Sequence, residues 1–98
     1  MAIRNFKNRG TEDINYGRPT KEAFRTLPQE LHRKAQIKLA RLGAVTSMRD
    51  LQEIRGNRLE KLSGKRKGQY SIRINEQYRI CFGWENENAV AVEITDYH

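Results

Sequence analysis

The sequence predicts an α+β domain, a small antiparallel sheet with N-terminal helices packed on one face. Two observations carry this. Leu31, Ala35, Leu39 and Leu42 recur at helical spacing and make one apolar stripe. From Tyr70 onward apolar and polar residues alternate with a period of two, interrupted by short asparagine-rich turns. The helical pattern comes first and the alternating pattern second, so helices and strands segregate along the chain. At 98 residues, the chain is read as one domain, 1–98, with a single modest core.

Taken in order, Ala2 to Phe6 alternates weakly and suits a short edge strand. Residues 8–26 are polar, with Gly10, Gly17 and Pro19, and carry no strong periodicity. Thr11 is the expected cap of one short turn holding Glu12 and Asp13, acids that suit a helix N-terminus, and Gly17 is its expected end. Residues 8–26 as a whole are read as either mobile or dependent on a partner for order, and their order is left open. Thr26-Leu-Pro-Gln29 reads as a capping box with Pro28 in the first turn, opening a helix that Gly43 stops. Such a helix of about 16 residues spans roughly 24 Å. Ile37, Ala40 and Ala44 lie on another face, as a second packing surface or a partner contact, and His32 is expected to face solvent.

A further helical turn is expected near Ser47 to Leu51, then a short strand in which Leu59 and Leu62 flank Glu60 and Lys61. Gly64-Lys-Arg-Lys-Gly68 is a basic turn. Tyr70, Ile72 and Ile74 form one apolar set, Tyr78, Ile80, Phe82 and Trp84 the next, and Val90, Val92 and Ile94 the last, after a turn marked by Asn86 and Asn88. The apolar sets of adjacent strands must share a face. A three-residue loop at 75–77 then pairs Ile74 with Tyr78 and sets Arg73 directly opposite Arg79. Directly opposed like charges destabilise a sheet unless something anionic lies between them. Either Glu93, with the same parity on the last strand, neutralises the pair, or two guanidinium forks form a site for a phosphate. The second alternative makes the pair functional more than structural.

Charge points to the class of partner. The net charge is +7, at the upper end of the range of about 2–8 that solubility asks of a small domain, so a polyanion such as nucleic acid is expected. Cys81 is the only cysteine, which excludes a disulfide framework and a thiolate metal site within the chain. His32 and His98 are too far apart in sequence for zinc-ligand spacing, so neither metal nor cofactor is expected. No segment approaches the roughly 20 apolar residues of a membrane span, and the first residues have no signal-like apolar run, so a cytoplasmic location is expected. The basic turn lacks the spacing and Gly-Lys-Ser/Thr ending of a phosphate-binding loop, which excludes nucleotide binding of that type. Its Lys65, Arg66 and Lys67 either hold RNA backbone or form a solvated hairpin turn. Asp96, Tyr97 and His98 place a carboxylate, a phenol and an imidazole just past the last strand. An imidazole titrating near neutral pH, held by Asp96 beside clustered arginines, is what metal-free RNA cleavage needs. The ordinary alternative for a lone terminal histidine is a frayed, inert residue.

From about Asn57 to His98 the sequence resembles the HigB-type toxins of the RelE/ParE superfamily. The resemblance rests on Asn57-Arg-Leu-Glu-Lys-Leu62, Gly64-Lys-Arg-Lys-Gly68, Ser71-Ile-Arg-Ile-Asn75, Tyr78-Arg-Ile-Cys-Phe82, Trp84 and Asp96-Tyr-His98. It implies the toxin half of a type II toxin–antitoxin system, a small antiparallel sheet with helices against it, and cleavage of mRNA in the ribosomal A site. It implies a helix-turn-helix antitoxin partner, HigA-like, and operator DNA bound through that complex. It places Arg73 and Arg79 on the face that meets the scissile phosphate, and Asp96, Tyr97 and His98 at the catalytic edge. Some members have a second histidine where this sequence has Glu60, which leaves the general base open. Two other functions remain, a ParE-like inhibitor of DNA gyrase and a non-catalytic RNA- or ribosome-binding protein.

Overall fold

The computed structural model describes residues 3–54 and 56–96. Four helices precede a four-stranded antiparallel sheet. The helices are α1 (Arg9–Asn15), α2 (Lys21–Thr26), α3 (His32–Ala44) and α4 (Met48–Glu53). The strands β1 (Glu60–Lys61), β2 (Gln69–Arg73), β3 (Tyr78–Glu85) and β4 (Asn88–Asp96) neighbour one another in sequence order. This is the α+β architecture read from the sequence. Ile14, Leu39, Leu42 and Leu51 of the helices, with Leu27 just past α2, meet Ile72, Ile80, Phe82, Val92 and Ile94 of the sheet and Ile74 just past β2 in one core. Each such fully buried large side chain contributes about 1.5–3 kcal/mol of transfer free energy.

The polar stretch before α3 is more ordered than its composition suggests. Asn8, not Thr11, caps α1, its side chain accepting from the Thr11 N–H. Thr20 caps α2 in the same way through Ala23. The two helices cross closely at Gly10, where an added Cβ would stand 1.8 Å from Thr26 Oγ1. Asp13 is 1% exposed and holds the pair together, accepting from Thr20 Oγ1 at 2.6 Å and Arg18 at 3.2 Å. The Thr20 hydroxyl is the main cause that lowers its pKa, helped by Arg18 and Arg9 and opposed by burial. A carboxyl with a lowered folded pKa stabilises fully above the unfolded group's value of about 3.9 and loses that contribution as pH falls through the folded pKa. Asp13→Asn should therefore melt below wild type at pH 6, and the gap should close toward pH 3. A gap that stays constant in thermal melts across that range would contradict this role.

The helix drawn from Thr26 is shorter than expected. Thr26 ends α2, donating to Glu22 O, and a 3₁₀ turn at Gln29–Leu31 leads into α3 without a side-chain cap. The 13-residue α3 keeps the expected stripe, with Ala35, Leu39 and Leu42 buried, and passes Gly43 before ending at Ala44. Ile37 on its other face is 44% exposed. His32 does not stand in solvent. Its Nε2 donates to Leu27 O at 2.8 Å and its ring stacks on Phe24.

In the sheet the expected register holds, with Ile72 opposite Ile80 and Arg73 opposite Arg79. A two-residue turn with positive φ at Asn86 and Glu87 joins β3 to β4. One irregularity was not expected. Ala91, at φ +50°, adds a residue to β4 where the register slips between Cys81 and Gly83. Before the bulge Ala89 faces the core opposite Trp84, while Val90 stands opposite Gly83 on the outer face. After it Ile94 returns to the core opposite Ile80.

The outer edge of β4 is closed by distant chain. Ile3 and Phe6 bridge in parallel to Ala89 and Val92, the short edge segment expected at the start of the sequence. Arg4 and Lys7 donate to Ala89 O and Val92 O, and Asn5 accepts from Val92 through its carbonyl and from Ala91 through its side chain. Buried Thr11 takes the next amide, its Oγ1 accepting from Ile94 at 3.0 Å. No helix among the described residues is long and apolar enough to cross a membrane.

Candidate functional site

The face of the sheet turned away from the helices carries the chemistry. Glu60 pairs with Ser71, Ser71 with Cys81 and Arg73 with Arg79, so all five share that face with Glu93 and Thr95. Arg79 is the buried centre, 7% exposed. Its Nε donates to Ser71 Oγ at 2.6 Å, and its Nη2 donates to Arg58 O at 2.5 Å and Ser71 O at 3.3 Å. Glu60 lies 3.7 Å from Nη1. The guanidinium is thus held in place, with Ser71 and Arg58 on its Nε and Nη2 atoms and Glu60 near Nη1. It is more structural than the sequence suggests, since Ser71 and a backbone carbonyl depend on it.

Arg73 is held differently. Its side chain is a quarter exposed and meets Glu76 at 3.8 Å. Asn75 Oδ1 accepts from Gln77 N and Tyr78 N, and this turn brings Asn75 and Glu76 to the cleft mouth. The cleft, about 310 Å³, is lined by Arg58, Glu60, Arg73, Asn75, Glu76 and Arg79. Three arginines against two glutamates leave it positive.

Its wall is built by the segment after α4. Asn57 is buried, donating to Leu51 O and accepting from Lys38 Nζ at 3.2 Å. Its carbonyl accepts from Arg73 N at 2.6 Å. Arg58, at φ +45°, turns its own carbonyl onto Arg79. Burial lowers the pKa of Lys38, with Arg41, Lys34 and Arg73 adding to it. Arg58 and Asn57 were not read as site residues, because the atoms by which they hold Arg79 and Arg73 are backbone carbonyls. The left-handed Arg58 has no signature in composition.

The other sequence candidates are dispersed. Glu93 does not neutralise the arginine pair. It meets Arg66 at 3.1 Å and Lys7 at 3.7 Å. Arg66 is folded onto the sheet by that contact and by Gln69, while Lys65 and Lys67 are exposed in the basic turn. Asp96 ends β4 opposite Tyr78, one residue out of phase with Thr95, which stands opposite Arg79. It accepts from Gln77 Nε2 at 3.0 Å. Tyr97 and His98 lie outside the described residues. Burial pushes the Cys81 thiol up, which disfavours a thiolate. Among the described residues no three His, Cys, Asp or Glu side chains gather closely enough to hold a metal ion.

A family model described as the RelE-like toxin of the type II toxin–antitoxin system HigB matches residues 6–98. The chain belongs to this HigB-like toxin family. It is 42% identical over 60 residues to Toxin HigB-1 of Vibrio cholerae, covering 61% of this chain and 63% of that relative. It is 37% identical over 60 residues to an uncharacterized protein of Haemophilus influenzae, covering 61% and 59%. The chain thus spans about three fifths of the length of the curated relatives it matches. Among solved structures, the HigB-like fold is similar to a chain of the YoeB-YefM complex from Staphylococcus aureus, with TM-score 0.60 and 21% identity over 100% of this chain and 99% of that one. A heterotetrameric YoeB-YefM toxin–antitoxin complex from the same organism matches equally well. At that identity the likeness is one of fold.

Proposed function

We propose that this HigB-like protein is a metal-independent endoribonuclease that cuts mRNA in the ribosomal A site. The observation that carries the reading is the fixed Arg79 guanidinium facing Arg73 across an open positive cleft. A ribose 2′-oxygen would attack the adjacent phosphorus while a base takes its proton. The bond from phosphorus to the 5′-oxygen breaks, and that oxygen takes a proton as it leaves. The products are a 2′,3′-cyclic phosphate and a 5′-hydroxyl. Arg73 and Arg79 would neutralise the charge growing on the phosphoryl oxygens, and donors held in place do this without reorganising.

Glu60, already inside the cleft beside Arg79, is the described carboxylate suited to accept the 2′-hydroxyl proton. His98 would protonate the leaving oxygen, Asp96 would orient it, and Tyr97 would stack on a base. Lys65 and Lys67, with Arg66 when it leaves Glu93, would hold RNA backbone. The partner is taken to be a helix-turn-helix antitoxin, HigA-like, which carries the complex to operator DNA. Family membership and the toxin–antitoxin complexes of similar fold support an antitoxin partner.

The test is cleavage by purified protein of mRNA on translating ribosomes, with a transition-metal chelator at a level that leaves the ribosomes intact. Cutting should persist and leave cyclic-phosphate ends. Activity that vanishes and returns only with added transition metal would refute the 2′-hydroxyl route. Intact mRNA with inhibited DNA gyrase would move the protein to the ParE-like class.

A further inference from the structure

We propose that a second phosphate subsite, built by Lys34 and Arg58 on the α3 side of the arginine cleft, holds the neighbouring phosphate of the same RNA strand. This rests on the reading that Arg73 and Arg79 hold the scissile phosphate. A second hollow of about 400 Å³ adjoins the first and shares Arg58, Arg73, Asn75 and Glu76 with it. Lys34 and Lys38 of α3 form its far wall.

The charge in this hollow is unbalanced. Four cations, Lys34, Lys38, Arg58 and Arg73, face one carboxylate, Glu76, which is nearly fully exposed and 3.8 Å from Arg73. Lys38 is committed to Gly56 O and Asn57 Oδ1. The Lys34 and Arg58 side chains are exposed, and neither has a hydrogen-bond or ion-pair partner among the described residues. Burial is the main cause that lowers the Lys38 pKa, and the charges of Arg41, Lys34 and Arg73 add to it. Holding these side chains together costs free energy that a bound anion recovers.

An RNA strand supplies an anion at every nucleotide. Two hollows that share a wall suit two consecutive phosphates, one against Arg79 and one against Lys34 and Arg58. The strand would then leave the sheet over α3. Catalysis gains because a flanking contact fixes the position of the scissile group.

The test uses fluorescence anisotropy with a labelled, uncleavable 2′-O-methyl RNA trinucleotide bearing two phosphodiesters. Two further probes carry a neutral methylphosphonate at the first or the second linkage. For wild type, neutralising either linkage should weaken binding by about 10-fold. The double variant Lys34→Gln/Arg58→Gln should bind the natural probe about 10-fold more weakly and become insensitive to one of the two neutral linkages. Its slope of log affinity against log salt should fall by about 0.7, the value for one phosphate no longer neutralised on a single strand. Both side chains are exposed, so the melting temperature serves as the folding control. Equal affinities of the double variant and wild type would overturn the subsite, as would a uniform loss across all three probes. Binding is read without cleavage. A variant that decouples as stated while ribosomal mRNA stays intact refutes the nuclease reading and keeps the two-phosphate site.

Discussion

Arg79→Ala is expected to lower ribosomal mRNA cleavage by about 10²-fold or more, the scale for losing one fixed transition-state donor. It should also destabilise the protein, because Ser71 Oγ, Ser71 O and Arg58 O all lose their donor. Hydrogen bonds to a charged group contribute about 1.5–3 kcal/mol, so a loss of that size is expected in chemical denaturation, partly offset by relief of repulsion from Arg73. Arg79→Lys keeps the charge and loses the fork, and should fall nearly as far in rate. Arg73→Ala separates the two effects. That side chain is a quarter exposed with one long contact to Glu76, so the variant should melt like wild type while cleavage falls comparably. Wild-type cleavage by Arg73→Ala would remove the phosphate-facing role of the pair.

Deletion of Asp96 to His98 should abolish cleavage and spare the fold. It removes the Asp96–Gln77 hydrogen bond at 3.0 Å and the terminal Tyr78–Asp96 pair of the ladder, and leaves β4 paired with β3 through Thr95. An exposed hydrogen bond contributes about 0.5–1.5 kcal/mol, so the end of the strand should fray while the core stays folded. Removing a general acid costs typically 10²–10⁴-fold in rate. Glu60→Gln is the companion variant, expected to lose the other proton transfer. A truncated protein that still cuts mRNA at wild-type rate would show that Glu60 and the arginines suffice. Circular dichroism and antitoxin pull-down report folding in each case.

The sheet was largely legible because period two and a short loop leave little freedom. Once Ile74 pairs with Tyr78, Arg73 must face Arg79. The bulge was not legible, since alanine is not a residue that marks a left-handed position. It moved Val90 out of the core and Ala89 in. The α1–α2 pair was missed for a different reason. Its buried residues include Gly10, Thr11 and Asp13, and its stability comes from close approach and hydrogen bonding rather than an apolar stripe. The arginines of the site were readable as side chains. The carbonyls of Asn57 and Arg58 that hold them have no side-chain signature.

The closed edge of β4 has a bearing on how the protein is made. Its hydrogen bonds join residues 83 and 86 positions apart, Thr11 to Ile94 and Asn5 to Ala91. A ribosome releases the N-terminal partners first, and they wait with their amides and hydroxyls bound to water until the last strand emerges. Contacts this distant in sequence form slowly, because the whole intervening loop must be ordered first. β4 also aligns β3 and with it Arg79, so the arginine cleft takes its final shape only after β4 has emerged. On the proposed nuclease reading, the ribosome that makes β4 would therefore meet the chain before its cleft is assembled.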